Sequence, residues 1–347
     1  MHKIIHGGDI YRNQVQMDFS VNTNPLGIPE GVKEALADAV ENCRCYPDIH
    51  AAELVHAISG QTGVEPDMVV CGNGASELFM AIVHAEKPKK ILIPVPSFYG
   101  YERSAQASGA QTVYYEMRED DCFSLTGAFL EQLTDDIDLL FLATPNNPVG
   151  NLTDRNLLKQ ICQVCGEKQI TVILDECFIE FTQERGFAEE NSLREFPHVI
   201  VVRAFTKIYA IPGVRLGYLL CGGSRRTEKI REQLPEWNLS CFAQEAGIAA
   251  LRENEYRRQS VRYVAEERAY LTRGLQSLGV RVWPAAADFL LIQSRSGLYE
   301  KLLEQGILIR DCSNFRGLAK GCYRIAVRTH EENQRLMEMV GKIIETD

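Results

Sequence analysis

The segment Val199-Ile200-Val201-Val202-Arg203-Ala204-Phe205-Thr206-Lys207-Ile208-Tyr209-Ala210-Ile211-Pro212-Gly213-Val214-Arg215-Leu216-Gly217-Tyr218 decides the fold. Its first four residues are β-branched and apolar, the composition of a strand buried on both faces. The runs Lys90–Pro94, Leu139–Ala143, Ile170–Leu174 and Leu216–Cys221 have the same character, and amphipathic helical runs such as Asp154–Lys168 lie between them. This alternation predicts an α/β fold, a mostly parallel sheet with helices on both sides. In such sheets ligands bind beyond the carboxyl ends of the strands. Lys207 falls just past one such end. A lysine desolvated there, near other cations, becomes a nucleophile for carbonyls; a surface lysine in a loop is the plainer alternative.

The two ends of the chain read differently. Pro29–Asn42 has the pattern of a helix with proline in its first turn. Toward the C-terminus come a long charged helix over about Glu253–Leu278, strand-like Phe289–Gln293, a second helix, strand-like Ile307–Arg310 and Tyr323–Val327, and a last helix. These form a small α+β domain. The expected division is an arm and helix over 1–45 that packs with the small domain, a large domain over 46–254 and the small domain over 255–347. No Pro/Ser-rich linker separates them, so a close interface is expected.

Composition narrows the function. The chain has 347 residues, 45% hydrophobic and 24% charged, the balance of a folded globular protein. A net charge of −10 repels phosphate backbones, which argues against a general nucleic-acid binder. An anionic ligand must then be held by a local cluster of Arg or Lys. No apolar run is long enough for a membrane span, and Met1–Gly8 lacks the apolar core of a signal peptide. The cysteines number eleven, at irregular spacings, with Cys177 and Cys221 inside apolar runs. They read as reduced thiols of a cytoplasmic enzyme. Cys162 and Cys165 form a lone CxxC in a helical pattern; no second pair completes a metal site.

Other strand ends carry polar residues. Ile170–Leu174 delivers Asp175-Glu176 to the crevice, as ligands or as turn residues. Leu139–Ala143 runs into Thr144-Pro145-Asn146-Asn147-Pro148-Val149-Gly150, where the prolines restrict the backbone around Asn147. Cys71-Gly72-Asn73-Gly74-Ala75-Ser76-Glu77 precedes an apolar helical run and presents free N–H groups at a positive dipole end, an anion cradle. It is neither a P-loop nor GxGxxG; capping by Asn73 or Ser76 is the simpler alternative. In Arg324-Ile325-Ala326-Val327-Arg328, strand alternation puts both arginines on one face, roughly 13 Å apart. Guanidinium forks suit carboxylates and phosphates.

These pieces, in this order, resemble the fold-type I, aspartate aminotransferase-like enzymes that use pyridoxal 5′-phosphate (PLP), and among them the class containing the histidinol-phosphate aminotransferases. The family pattern Ser/Ala-x-Ser/Thr-Lys followed by Gly-x-Arg-x-Gly is matched by Ala204–Lys207 and Gly213–Gly217. The resemblance implies that Lys207 bonds the cofactor aldehyde and that Asp175 pairs with the ring nitrogen. Asn147 would reach the ring O3′ and Phe98 would stack on the ring. Gly74, Ala75, Ser76, Thr206 and Arg215 would hold the phosphate, and Tyr46 would reach it from the second subunit of a homodimer with shared sites. Two positions depart from the pattern. Ala204 stands where many relatives have a phosphate-binding serine, and Phe178 where aminotransferases usually have a tyrosine.

A narrower group, the threonine-phosphate decarboxylases of cobalamin biosynthesis, is similar in three segments: His6-Gly7-Gly8-Asp9-Ile10-Tyr11, Asp18–Gly27, and Leu308–Phe315 followed by Tyr323–Thr329. This implies PLP-dependent decarboxylation of O-phospho-L-threonine to (R)-1-amino-2-propanol O-2-phosphate. Arg324 would take the α-carboxylate; Arg328 and Arg310 would take the phosphate, with His6 and Asn24 helping from the arm. The alternative is a histidinol-phosphate or related phosphate-ester aminotransferase. The HGG arm, Phe178 and Arg328 favour the decarboxylase. A ligand sensor without turnover is a third reading, disfavoured because Lys207, Asp175 and Arg215 occur together.

Overall fold

In the computed structural model, residues 6–294 and 297–345 are described. Their strands are β1 (Met17–Asp18), β2 (Val69–Gly72), β3 (Lys90–Val95), β4 (Gln111–Glu116), β5 (Leu139–Ala143), β6 (Thr171–Asp175), β7 (Val199–Ala204), β8 (Gly217–Cys221), β9 (Arg281–Val282), β10 (Phe289–Gln293), β11 (Ile307–Leu308), β12 (Arg310–Asp311) and β13 (Cys322–Ala326). The large sheet runs β2-β8-β7-β6-β5-β3-β4. Strands β3 to β7 pair in parallel, and β8 is antiparallel to both β7 and β2. Alternate residues feed two cores: Val172, Leu174, Val199 and Val201 pack below the sheet, and Ile173, Ile200 and Val202 above it. That two-sided burial is why these strands are nearly all apolar.

Helices cover both faces. The helix Arg155–Glu167 starts at Asp154, whose side chain accepts from Leu157 N at 2.9 Å, a conventional N-cap. Its buried stripe is Leu157, Leu158, Ile161, Cys162 and Cys165. The CxxC cysteines thus lie on the core-facing side, and burial pushes both thiols up. Among the described residues, no helix is long and apolar enough to cross a membrane.

This topology gathers the carboxyl ends of β2, β3, β5, β6 and β7 along one edge, beside the start of β8. Gly74, Phe98, Asn147, Asp175, Lys207 and Arg215 lie at or just beyond those ends. Three X-Pro bonds near this edge are cis: Val95-Pro96, Thr144-Pro145 and Asn147-Pro148.

A four-stranded antiparallel sheet, β12-β13-β10-β9, lies C-terminal to it. Three details differ from the sequence expectation. The expected strand Ile307–Arg310 breaks at Ile309: β11 pairs in parallel with β1, while β12 joins β13. Strand β13 stops at Ala326, so Arg328 lies beyond the ladder. The helix Glu30–Asp38 packs mainly on Cys241–Arg252, within the segment assigned to the large domain, while β1 of the same arm pairs with β11. Gly31 permits this approach: a Cβ there would lie 2.5 Å from Glu253 Oε1.

Candidate active site

A cavity of about 670 Å³ opens at the sheet edge. Its floor begins at the helix Ala75–Glu86. Gly74 precedes it at φ 80°, and no side chain caps it. Neither Asn73 nor Ser76 does the capping weighed from sequence; Asn73 instead donates its N–H to Glu77 Oε2 at 2.7 Å. Glu77 N donates to Gly74 O at 3.2 Å, and the N–H groups of Ala75 and Ser76 are left to an anion. Ala75, Ser76, Thr206 and Arg215 all line the cavity. Gly74 itself sits beneath Arg215: a Cβ there would come within 2.4 Å of the guanidinium. A positive φ and that close approach together require glycine.

Lys207 lies one turn past β7, half-buried, and lines the cavity. Burial pushes its ammonium down; Asp288 opposes this, and Arg324 adds to it. Its Nζ stands 5.9 Å from the centre of the Phe178 ring. Asp175, the last residue of β6, is buried. Its Oδ2 accepts from Tyr101 Oη at 2.5 Å and its Oδ1 from Cys177 N at 2.9 Å. Burial raises this carboxyl, while these hydrogen bonds and Lys207 resist the rise.

Asn147 and Phe98 also line the cavity. Arg324 donates to Asn147 Oδ1 at 2.5 Å and to the Ser20 carbonyl at 2.8 Å. A guanidinium can only donate, so this bond fixes the amide with Nδ2 turned away from Arg324 as a donor. Arg324 is buried, and burial pulls it down to about 10. Arg310, equally buried, donates to Asn314 Oδ1 at 2.8 Å and to the Asp311 carbonyl. The two arginines are direct cross-strand partners on β12 and β13. His6 lines the same end, edge-on to Tyr99; burial lowers its imidazole, and Arg310 and Arg103 push it further.

Three expected site residues fall elsewhere. Asn24 is buried outside the cavity, tying Ile208 O and Ser260 Oγ together. Arg328 pairs with Glu332 one helical turn away, at 3.3 Å. Tyr46 is 82% exposed and its ring lies tilted against Trp237, with centroids 4.8 Å apart.

Other cavity residues were not singled out from sequence. Tyr101 lies three positions after Phe98, the helical spacing that places both on one face. Asn22 presents a buried Oδ1 with no hydrogen-bond partner among the described residues. It lies two residues from Asn24 in the same arm segment, a choice that only the fold resolves.

The family model for aminotransferases of class I and II matches residues 14–340. The chain belongs to that family. The threonine-phosphate decarboxylase of Salmonella typhimurium is 38% identical over 94% of this chain and 91% of its own. Among solved structures, the histidinol-phosphate aminotransferase of Clostridium acetobutylicum superposes with a TM-score of 0.89 at 31% identity, covering 95% of this chain and all of that one. The L-threonine-O-3-phosphate decarboxylase of Porphyromonas gingivalis gives 0.84 at 25% identity, covering 94% and 99%.

The cofactor of this family is PLP, and the residues present fit it. The uncapped helix start offers N–H donors to a phosphate. Asp175 offers a buried carboxylate, and Lys207 an amine opening into the same space. These are the three groups that an anionic, aldehyde-bearing pyridine requires.

Proposed function

We propose that this chain decarboxylates O-phospho-L-threonine with PLP, releasing carbon dioxide and (R)-1-amino-2-propanol O-2-phosphate. One observation carries the reading: the cross-strand pair Arg310 and Arg324. Like charges directly opposite on a sheet repel, and burial sharpens the cost. A ligand bearing both a carboxylate and a phosphate relieves it, one anion for each guanidinium. On this reading Arg324, bonded to Asn147 above the floor, orients the carboxylate; Arg310, with His6 and Asn22 beside it, takes the phosphate.

Bound PLP supplies an electron sink for the pair left on the α-carbon. The residues of this chain do the rest. Asp175, buttressed by Tyr101, keeps a negative charge facing the ring nitrogen. Arg324 holds the Cα–carboxylate bond in the direction in which it breaks. That favours loss of carbon dioxide over loss of the Cα hydrogen, a preference for one transition state. The Cα–C bond breaks, its electron pair stays on Cα, and a proton from Lys207 Nζ forms the new C–H bond. Phe178 brings no hydroxyl to the ring O3′, which leaves the Asn147 amide as the donor there.

The proposal extends to the assembly and compartment. The exposed Tyr46, its ring tilted against Trp237, and the exposed Val40 and Ile49 of the same segment suit the contact of a homodimer in which Tyr46 reaches the partner's cavity. The free thiols, several of them in the core, suit the cytoplasm.

The test is mass analysis of products from PLP-loaded protein and O-phospho-L-threonine with no keto acid. Catalytic formation of aminopropanol phosphate supports the reading. Unchanged substrate, together with turnover of histidinol phosphate and 2-oxoglutarate, replaces it with the aminotransferase reading, which the likeness to the Clostridium acetobutylicum enzyme favours.

A further inference from the structure

Asp288 is an anomaly of the core. It precedes β10, in Ala287-Asp288-Phe289, and is fully buried. Neither carboxylate oxygen has a hydrogen-bond partner among the described residues. A buried carboxylate with no donor is among the most costly groups a fold can hold. Its place is not adaptable. Asp288 O accepts from Val327 N at 2.8 Å, and Arg268 clamps the carbonyls of Ala286 and Ala287 at 2.9 and 2.8 Å. Ala286 N is tied in turn to Gly150 O, on the loop that carries Asn147.

The compensation must come through space. The charged side chains that face Asp288 are Lys207, which acts on it most strongly, then Arg324 on β13 and Arg268 on the helix Asn254–Ser277. The relation is mutual: Asp288 is the strongest charge acting on Lys207, ahead of Arg324, Cys177 and Arg215. Asp175 also senses Lys207. Arg268 spends its Nη1 on the two carbonyls, and Arg324 its two terminal nitrogens on Asn147 and Ser20, with its Nε left unpartnered among the described residues. Among the described residues, Lys207 Nζ makes no side-chain hydrogen bond, which leaves its charge open to Asp288.

We propose that Asp288 is a positioning residue for Lys207: from the second sheet, it holds a proton on the lysine amine and draws that amine toward the junction with the first. The reason lies in the site. Lys207 is half-buried and faced by Arg324 and Arg215, which favours the neutral amine. A neutral amine accepts a proton but has none to give. The proposed reaction ends with a proton passing from Lys207 Nζ to the α-carbon, so the lysine must carry one when carbon dioxide has left. A carboxylate at 288 supplies the opposing charge. Asp288 touches neither cavity nor substrate; it acts only through Lys207. Burial pushes its carboxyl up to about 7, and Lys207, Arg324 and Arg268 draw it back toward the ionised form.

The inference rests on the reading of Lys207 as proton donor, and its test is independent of turnover. In full-length protein stripped of cofactor, the rate at which cyanate carbamylates Lys207 is followed by mass spectrometry across about pH 5 to 9. The neutral amine is the reactive form. In Asp288→Asn, which keeps size and polarity but removes the charge, the Lys207 midpoint should fall by about one unit, a roughly tenfold faster labelling at fixed pH below the midpoint. The visible band of the cofactor-loaded protein should show its pH midpoint shifted the same way. Asp288→Glu should restore both. A purely structural role would lower thermal stability and leave the midpoint in place; an unchanged midpoint in folded Asp288→Asn overturns the proposal. If that variant does not fold, infrared titration of the native protein decides. A buried carboxyl losing its proton near neutral pH, and doing so at higher pH in Lys207→Met, supports the coupling; no such titration refutes it. A failed decarboxylase assay with a shifted midpoint would remove the reaction and leave the pair.

Discussion

Replacing Tyr101 by phenylalanine isolates one atom of the site. The Tyr101 ring stacks on Phe141, with centroids 4.9 Å apart, and meets Phe79 edge-on at 5.3 Å. Phenylalanine keeps those contacts, so the packing survives. What is lost is the 2.5 Å hydrogen bond to Asp175 Oδ2, leaving the carboxylate only the Cys177 N–H. A hydrogen bond to a charged group contributes about 1.5–3 kcal/mol. If that stabilisation serves the carboxylate that faces the cofactor ring nitrogen, PLP affinity falls by roughly 10- to 100-fold. The sign of the pH effect follows. The hydroxyl favours the ionised carboxyl, so its removal raises the carboxyl further, and the deficit is deepest in acid and narrows as pH rises. The assay is equilibrium dialysis against PLP at several pH values, with circular dichroism as the check on folding. A folded variant that binds PLP within threefold of the native protein at every pH refutes the reasoning.

Three further outcomes are expected. Gly74→Ala drives a Cβ into Arg215 and strains a left-handed backbone; PLP loading should fall by at least about tenfold while the sheet folds, as seen by absorbance against circular dichroism. Arg310→Ala should raise the KM for the phosphorylated substrate roughly 10- to 100-fold through loss of charge-assisted bonds, while Arg328→Ala, which removes a partly exposed pair with Glu332, should leave KM within about twofold and cost under about 1 kcal/mol in urea denaturation. The Asp175 carboxyl is raised in the folded, cofactor-free protein, so the native state holds a proton that the unfolded chain has released, and stability contributed here is lost as pH rises above the ordinary carboxylate value of about 4. Asp175→Asn removes that loss: the difference in unfolding free energy, variant minus native, should grow with pH across that window, and a difference that shrinks contradicts the sign.

How much of this was legible depended on how local the signal was. Strands β5, β6 and β7 and the segment read as β8 are short apolar runs bounded by polar residues, because each is buried on both faces. They were readable to within a residue or two. Strand β4, Gln111–Glu116, was not: it lies at the sheet edge, only partly covered, and its Thr-Val-Tyr-Tyr pattern carries no buried run. The break at Ile309 was equally invisible, since Ile307-Leu308-Ile309 is one uninterrupted apolar run, as a single buried strand would be. Only the competing partners, β1 for one half and β13 for the other, divide it. The main contact of the N-terminal helix was hidden for a related reason: its apolar stripe says that it packs, and nothing in it says against what.

The same distinction separates the two halves of the site. Residues at strand ends, from Gly74 to Lys207 and Arg215, follow from topology once the sheet is parallel, because one rule puts every carboxyl end at one edge. The arginine end obeys no such rule. Period-two spacing along one strand offers Arg324 and Arg328 as a pair, but that argument needs the strand to continue, and it stops at Ala326. The partner that the fold supplies, Arg310, sits fourteen residues upstream, opposite Arg324 only because the turn through Ser313–Gly321 sets the register of β12 on β13. Register across a long connection is set by closure of the whole sheet and not by the residues that face each other. A two-guanidinium site assembled that way can be recognised in sequence as a need, from the net negative charge of the chain, before its members can be named.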